Sequence, residues 1–384
     1  MTKEGMPELY FDTAATTPIR QSVKNALPQI IDIFGNPSSL HRKGLEAEEH
    51  FENARKSILN ALGNPKGRFV FTGSGTEADN LAIMGGAKQF CNRGRHMVTT
   101  AIEHPAVLEP FRALEREGFE VTYVKPTPTG DIEARDVLNA IREDTFMVSI
   151  MHVNNETGAI LPIQEIGQAL KNELKIIFHV DGIQAFGKLP FSIRDLGVDL
   201  YSVSGHKIGA MKGIGGLFIR EGIRLSPVVY GGGQEFGLRS GTQNVVGAMT
   251  FGIAAKEAMM TRAVYEEMCR IHRIFVDGLQ KIPLWKVHEP KAASPFIVHA
   301  SATGLRGEVI VHALESAGLF VSTGSACSSK KHEPISHVLD AMGLSATEKE
   351  GAIRFSIGSW HAEADIKRAL EIIEEKSTWI RSLL

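Results

Sequence analysis

The sequence predicts an α/β fold, in which a large domain with a mostly parallel sheet flanked by helices is joined to a smaller α+β domain. Between residues 68 and 220, short β-rich runs alternate with amphipathic stretches, a repetition that is typical of layered α/β domains. The β-rich runs are uninterrupted apolar segments, which indicates strands that are covered on both faces. Near residue 257 the alternation stops, and this change is the best candidate for a domain boundary.

The predicted elements follow from these patterns in order. In the first part, the strands are expected at 68–71, 96–100, 121–124, 146–151, 176–180, 200–203 and 216–219, with a helix at 76–90. Later in the chain, helices are expected at 245–258, 264–282, 308–316 and 364–384, and strands at 296–299 and 353–356. Because neither repeats nor a low-complexity linker separate the two parts, we expect them to pack together.

Composition argues against several classes of function. The 42 Lys and Arg residues nearly balance the 44 Asp and Glu residues, giving a formal net charge of −2. Nucleic-acid and membrane-surface proteins usually carry a basic excess, so neither partner is expected. No stretch approaches the roughly 20 apolar residues that a membrane helix needs. The segment 1–7 is charged and contains Gly and Pro, unlike a signal peptide, and we expect a cytoplasmic protein.

The three cysteines, Cys91, Cys269 and Cys327, are few and widely spaced. This pattern argues against a disulfide framework or a Cys-x-x-Cys metal site, and it fits a reducing compartment. We expect Cys91 and Cys269 to be buried packing residues, since they lie in helix-like stretches. Cys327 lies among small polar residues and is followed by cations at 330–332, which favours an exposed thiolate on a mobile loop.

Polar or ionisable side chains follow five of the predicted strands. In a doubly wound sheet, ligands bind beyond the carboxyl ends of the strands, so we expect these side chains to share one site. They occur in the segments 72–77, 103–104, 154–156, 181–184 and 204–207.

Each of these segments alone has an ordinary structural explanation. The Gly73–Gly75 turn lacks the Gly-Lys-Ser/Thr of a nucleotide-binding loop, and it also fits a plain strand-to-helix connection. His104 and Asp181 could be helix caps, and Lys207 could be a surface lysine. Their joint occurrence at strand ends favours a shared function.

One cofactor, pyridoxal 5′-phosphate, accounts for the whole set. It needs a phosphate cup, a lysine for covalent attachment and an acid beside its ring nitrogen. The phosphate would be bound by Gly75, Thr76, Ser204 and His206, and the cofactor would be attached to Lys207. Asp181 would lie beside the ring nitrogen, His104 would stack on the ring, and Gln184 would donate a hydrogen bond to the phenolic oxygen.

Ordered motifs span nearly the whole chain, at 10–17, 35–41, 76–80, 103–104, 154–158, 179–184, 204–207, 239–244, 324–329 and 353–356. In these motifs the chain resembles the cysteine desulfurases, in the class V aminotransferase group of fold-type-I pyridoxal phosphate enzymes. The last two motifs, Gly-Ser-Ala-Cys-Ser-Ser and Ile-Arg-Phe-Ser, distinguish desulfurases from plain transaminases of that group. The resemblance implies a seven-stranded sheet in a large domain of residues 15–256, with a small domain formed by 1–14 and 257–384.

The resemblance also implies roles for individual residues. Lys207 would carry the cofactor, and Asn155 and Arg354 would hold the carboxylate of the substrate, L-cysteine. Thr242 would reach the phosphate of the neighbouring subunit's cofactor, which implies a homodimer. Cys327 would accept the sulfur.

The hypothesised reaction converts L-cysteine to L-alanine. Lys207 removes the Cα proton, the Cys327 thiolate takes the sulfur as a persulfide, and His104 shuttles a proton. The sulfur would pass to an acceptor protein, either an iron–sulfur scaffold or a protein of tRNA or cofactor thiolation. The alternatives are a selenocysteine lyase, an aminotransferase of the same fold, and a non-catalytic scaffold for sulfur-acceptor proteins.

Overall fold

The computed structural model of the protein describes residues 8–324 and 336–383. Its strands are β1 (Leu9–Tyr10), β2 (Gly67–Thr72), β3 (His96–Thr100), β4 (Glu120–Val124), β5 (Thr145–Met151), β6 (Ile177–Asp181), β7 (Leu200–Ser204), β8 (Gly215–Arg220), β9 (Trp285–Val287), β10 (Ile297–Ala302), β11 (Leu319–Phe320) and β12 (Ala352–Ser356). Its helices are α1 (Gln21–Ile30), α2 (Arg42–Ala61), α3 (Gly75–Phe90), α4 (Pro105–Arg116), α5 (Ala134–Asn139), α6 (Ile163–Leu170), α7 (Ile193–Leu196), α8 (Val245–Glu257), α9 (Arg262–Leu279), α10 (Gly307–Glu315), α11 (His337–Ala341), α12 (Ala346–Glu350) and α13 (Glu363–Arg381).

Strands β2 to β8 form one seven-stranded sheet in the order β2-β8-β7-β6-β5-β3-β4. The neighbours from β7 to β4 pair in parallel, whereas β8 is antiparallel to both β2 and β7. The predicted mostly parallel sheet is therefore confirmed. Strands β3, β5, β6 and β7 are buried along their whole length, which explains why they appear in the sequence as continuous apolar runs.

Helices cover both faces of this sheet. Apolar residues of α2, α5, α6 and α8 pack with one face, and those of α3 and α4 pack with the other. Successive strand residues contribute to opposite cores, as in Phe69 and Val70 of β2. Because the strands from β7 to β4 are parallel, their carboxyl ends lie at one edge of the sheet, between the two helix layers.

The remaining strands form two smaller sheets. Strands β9, β10 and β12 form an antiparallel sheet in the order β12-β10-β9, and β1 pairs in parallel with β11. Helices α9, α10 and α13 contribute to their common core. Among the helices of the described residues, none combines the length and the apolar character needed to cross a membrane.

The prediction that Cys91 and Cys269 are buried is wrong, because both are exposed. Cys91 directly follows the last residue of α3, where the helix ends at the surface. Cys269 lies on α9 next to the buried Met268, on the side of the helix that faces solvent. Membership of a helix-like stretch thus did not determine which face of the helix each cysteine occupies. Cys327 lies outside the described residues.

Candidate active site

A cavity of about 580 Å³ lies at the carboxyl ends of β5, β6 and β7, beside the N-terminus of α3. Ten of the predicted site residues line it: Gly75, Thr76, His104, Asn155, Asp181, Gln184, Ser204, His206, Lys207 and Arg354. Thr242 does not line it and is exposed elsewhere on this chain. Cys327 is outside the described residues, and Gly324, the last described residue before it, lines the cavity. Strand topology thus brings distant segments to one place.

The turn between β2 and α3 forms one end of the cavity. Ser74 caps α3 by accepting a hydrogen bond from the Glu77 N–H at 3.1 Å. Glu77 in turn accepts from the Gly73 N–H and from Arg239 Nε, both at 2.8 Å, so the turn is held on two sides. The N-terminus of this 16-residue helix offers backbone N–H groups and a positive dipole end, which suit an anionic phosphate.

Glycine is required at position 75 for steric reasons. A Cβ placed there would lie 2.3 Å from Ile183 Cδ1 and 3.2 Å from Ser204 Cβ. The absence of a side chain lets the start of α3 approach the ends of β6 and β7, so Gly75 and Ser204 can both contact one phosphate group.

His206 and Lys207 follow β7 in a short 3₁₀ turn, Gly205–Lys207. His206 Nδ1 lies 3.1 Å from Thr16 Oγ1. Burial, followed by the positive charges of Lys207 and Lys212, lowers the pKa of His206 to about 4, so its ring is neutral at pH 7. A neutral ring has one N–H donor and does not place a second cation next to Lys207.

The Lys207 amine lies inside the cavity beside the N-terminal segment of the chain. Its Nζ donates to the backbone carbonyls of Ala14 and Ala15, the latter at 2.9 Å. The side chain is half-buried. These two hydrogen bonds orient the amine within the cavity.

Asp181 is the last residue of β6 and is buried. Its Oδ1 accepts the Ile183 N–H at 2.9 Å. Burial raises the pKa of Asp181 to about 6, while the Ile183 hydrogen bond and the charge of Lys207 act in the opposite direction. The fully buried Asp79 has a pKa far above its ordinary value, first because of burial and then because of the charge of Asp181. Asp79 is therefore the neutral member of this pair, and Asp181 is the one that ionises.

His104 serves both as a helix cap and as a cavity residue. Its Nδ1 accepts the Ala106 N–H at 3.1 Å, at the start of α4. Burial, and then the charge of Lys207, lowers the pKa of His104 to about 4. Since Nδ1 is an acceptor in the neutral ring, the proton lies on Nε2. The capping bond thus fixes the tautomer with which His104 faces the cavity.

Arg354 connects β12 of the smaller sheet to the cavity. It is buried, and it donates to Asp12 Oδ1 at 2.8 Å and to the Asn155 backbone carbonyl at 3.0 Å. These two partners hold the guanidinium plane at the cavity wall, where it can bind a carboxylate. Asn155 lies beside it, half-buried.

Two acidic residues and a histidine near the cavity had no predicted role. Glu103 is buried, and burial raises its pKa to about 8, so it is a neutral acid at pH 7. Burial likewise raises the pKa of Glu156 to about 7, and its Oε2 accepts the Ser336 hydroxyl at 2.5 Å. His337 lies against the Glu103 carbonyl at 2.9 Å and lines the cavity. The strand-end pattern pointed to the two acids, whereas nothing in the sequence near His337 indicated a site.

Comparison with known proteins gives a consistent result. The family model described as Aminotransferase class-V matches residues 9–369. Cysteine desulfurase IscS of Dictyoglomus turgidum is 39% identical over 380 residues, which cover 98% of this chain and 96% of that protein. Cysteine desulfurase IscS of Glaesserella parasuis is 41% identical over 390 residues, with 98% and 94% covered.

Solved structures agree with this match. A structure described as a NifS-like protein superposes with a TM-score of 0.90 at 35% identity, covering 98% of this chain and 100% of that one. A structure described as SspA in complex with cysteine gives a TM-score of 0.80 at 34% identity, covering 92% and 100%. The similarity to the NifS-like protein therefore extends over all three sheets and the residues that line the cavity.

Proposed function

The chain belongs to the aminotransferase class-V family and, within it, to the cysteine desulfurases, and we propose that it converts L-cysteine to L-alanine while passing the sulfur to Cys327. The observation that carries this proposal is the cavity in which Lys207, Asp181 and Arg354 meet. These three supply an amine, a carboxylate and a guanidinium around one space large enough for a cofactor and a small amino acid.

The cofactor of this family is pyridoxal 5′-phosphate, and the residues present fit it. The start of α3 with Gly75, Ser204 and His206 would hold the phosphate, and Asp181 would hold the ring nitrogen. Gly75 supports this fit directly, because a side chain there would fill the place where α3 meets β7. When bound, the cofactor withdraws electrons from the Cα atom of the substrate.

The protein's own groups then position the substrate and move its protons. Arg354 and Asn155 bind the carboxylate of L-cysteine, with the guanidinium already oriented by Asp12. Lys207, in its neutral form, removes the Cα proton and later returns a proton to form alanine. His104 keeps its Nε2–H toward the cavity and donates there, since its low pKa keeps the ring neutral.

Cys327 is proposed as the sulfur acceptor on the strength of the sequence. Its thiolate attacks the sulfur of the substrate, and the carbon–sulfur bond breaks with its electron pair remaining on the Cβ side of the substrate, where a proton is taken up. The sulfur remains on Cys327 as a persulfide. A reducing compartment keeps this thiol available, which supports the proposal of a cytoplasmic enzyme. The sulfur then moves to an acceptor protein, for which the relatives' name, IscS, favours an iron–sulfur scaffold.

We propose a homodimer in which Thr242 completes the phosphate site of the neighbouring subunit. Thr242 is exposed on this chain and does not line its own cavity. Large apolar side chains are also exposed, among them Leu40 at 94%, Phe34 at 77% and Tyr230 at 66%. Burying such side chains against a second copy would remove them from water. The division into domains 15–256 and 1–14 with 257–384 stays a prediction.

The test is incubation of the purified protein with L-cysteine and measurement of alanine. We expect a yellow protein that forms alanine, and a Lys207→Ala variant that lacks both the visible absorbance of lysine-bound cofactor and the activity. L-selenocysteine and amino-group acceptors are tested in parallel. Turnover of selenocysteine alone, or transfer of the amino group without alanine release from cysteine, would contradict the proposal in favour of the related reactions.

A further inference from the structure

A buried lysine, Lys188, lines a cavity that adjoins the active-site cavity at Lys207. Lys188 is 6% exposed and lines a neighbouring cavity of about 500 Å³, whose other charged lining residues are Arg20, Lys207 and Glu257. Lys207 lines both cavities, so Lys188 lies on a cavity that shares the active-site lysine. A buried amine is costly unless it has a partner, which raises the question of what Lys188 binds.

The partner of Lys188 is Gln184. Lys188 Nζ donates to Gln184 Oε1 at 2.8 Å, and Gln184 Nε2 donates to the Ala14 carbonyl at 2.9 Å. The two residues are four positions apart in a helical turn after β6, so their side chains share one side. The Ala14 carbonyl also accepts from Lys207, so a continuous hydrogen-bonded chain joins the two lysines.

These contacts fix the orientation of the Gln184 amide from both ends. A carbonyl oxygen only accepts, so Ala14 requires Nε2 on its side. An amine donor requires Oε1 on the other side, so Lys188 enforces the same orientation. One of the two Nε2 hydrogens remains for the cavity that Gln184 lines. Without Lys188 the amide would be held by one hydrogen bond, and its buried Oε1 would lack this donor.

We propose that Lys188 is a positioning residue, which acts by holding the Gln184 amide so that its nitrogen donates to the phenolic oxygen of the bound cofactor. This inference rests on the proposed function, since it concerns how the cofactor is held. Burial, and then the charges of Lys207 and Arg354, lowers the pKa of Lys188 to about 7. Because both the charged and the neutral amine can donate, the bond to Gln184 persists across this pH range.

The test measures the pH midpoint of the visible absorbance change of the lysine-bound cofactor in holoenzyme variants. A hydrogen-bond donor to the phenolic oxygen stabilises the deprotonated form of the lysine-bound cofactor and so lowers the midpoint. Lys188→Met weakens this donor and should therefore raise the midpoint by about one pH unit, roughly the value of one hydrogen bond. Gln184→Ala should raise it at least as much. Lys188→Arg, which retains a donor, should move it back toward wild type, and the exposed Lys281→Met should leave it unchanged.

The double variant Lys188→Met, Gln184→Ala decides the route. If Lys188 acts through Gln184, the double variant has the midpoint of Gln184→Ala alone. A full additional shift in that background would mean that Lys188 acts on Lys207 by charge, and would overturn the proposal. An unchanged midpoint in folded Lys188→Met holoenzyme would overturn it as well. Absence of cofactor absorbance from the wild-type protein would instead contradict the proposed function.

Discussion

Replacement of Gly75 by Ala tests whether the close approach of α3 to β6 and β7 creates the cofactor's phosphate site. The new Cβ would lie 2.3 Å from Ile183 Cδ1, well inside the ordinary contact distance of about 3.5–4 Å. Either the Ile183 side chain leaves its rotamer or the start of α3 moves outward. Overpacking of this kind costs about 1–3 kcal/mol, which corresponds to a loss of cofactor affinity of about 5- to 150-fold if the strain falls on the phosphate site.

The structure also supplies a compensating change. Ile183→Val removes the Cδ1 atom, leaving Cγ1 at 3.0 Å from the new Cβ and Ser204 Cβ at 3.2 Å. We expect the double variant Gly75→Ala, Ile183→Val to recover most of the lost affinity, whereas Ile183→Val alone should cost about 1 kcal/mol of stability. The assay is titration of the apoenzyme with pyridoxal 5′-phosphate, followed by absorbance. Wild-type affinity of Gly75→Ala, or no recovery in the double variant, would refute the steric explanation.

Three further predictions concern other parts of the structure. Arg354→Lys should lower kcat/KM for L-cysteine by about 10- to 150-fold, mainly through a higher KM, because one charge-assisted hydrogen bond of about 1.5–3 kcal/mol is lost. Glu235→Gln should lower the free energy of unfolding by about 3 kcal/mol, measured by denaturant titration, because Glu235 pairs with the buried Arg55 at 2.7 and 2.9 Å. The control is Glu109→Gln, which breaks an exposed ion pair and should cost less than about 1 kcal/mol. Burial lowers the pKa of His179 to about 3, so the unfolded chain takes up a proton at this histidine at a higher pH than the folded chain does. The free energy of unfolding should therefore fall as the pH decreases from 6.5 toward 3. His179→Asn should reduce that slope, and an unchanged slope would contradict the prediction.

The sheet could be predicted closely because four of its seven strands are buried along their whole length and appear as continuous apolar runs. Each of the seven expected strands is present, and their ends differ from the expected ones by at most one residue. Strands β1, β9 and β11 were missed, since two or three residues carry no detectable period. Helix α2 was also missed, although it spans 20 residues, because its mean hydropathy is low and its glycine and charges obscure the apolar side.

Only those site residues that lie at the ends of β-strands could be predicted from the strand pattern. Asp181 and Ser204 directly end strands, and the rule for parallel sheets places them together. Arg354 comes from a different sheet, and only the resemblance to a family pointed to it. Lys188 follows no strand directly, and its role depends on a hydrogen bond to Gln184 that a sequence does not reveal.

The cysteines show where composition alone is insufficient. Cys91 and Cys269 are both free thiols and both exposed. Their position in helix-like stretches did not predict this exposure, because such a stretch has a solvent side as well as a buried side. The role proposed for Cys327 rests on its motif.

The most direct test of the central claim is the reaction of the Cys327→Ala variant with L-cysteine, with alanine and protein-bound persulfide measured beside wild type. We predict that wild type forms both products. The variant should form neither while it retains the visible absorbance of the lysine-bound cofactor. Alanine formation from L-cysteine by the variant at the wild-type rate would contradict the assignment of Cys327 as the sulfur acceptor.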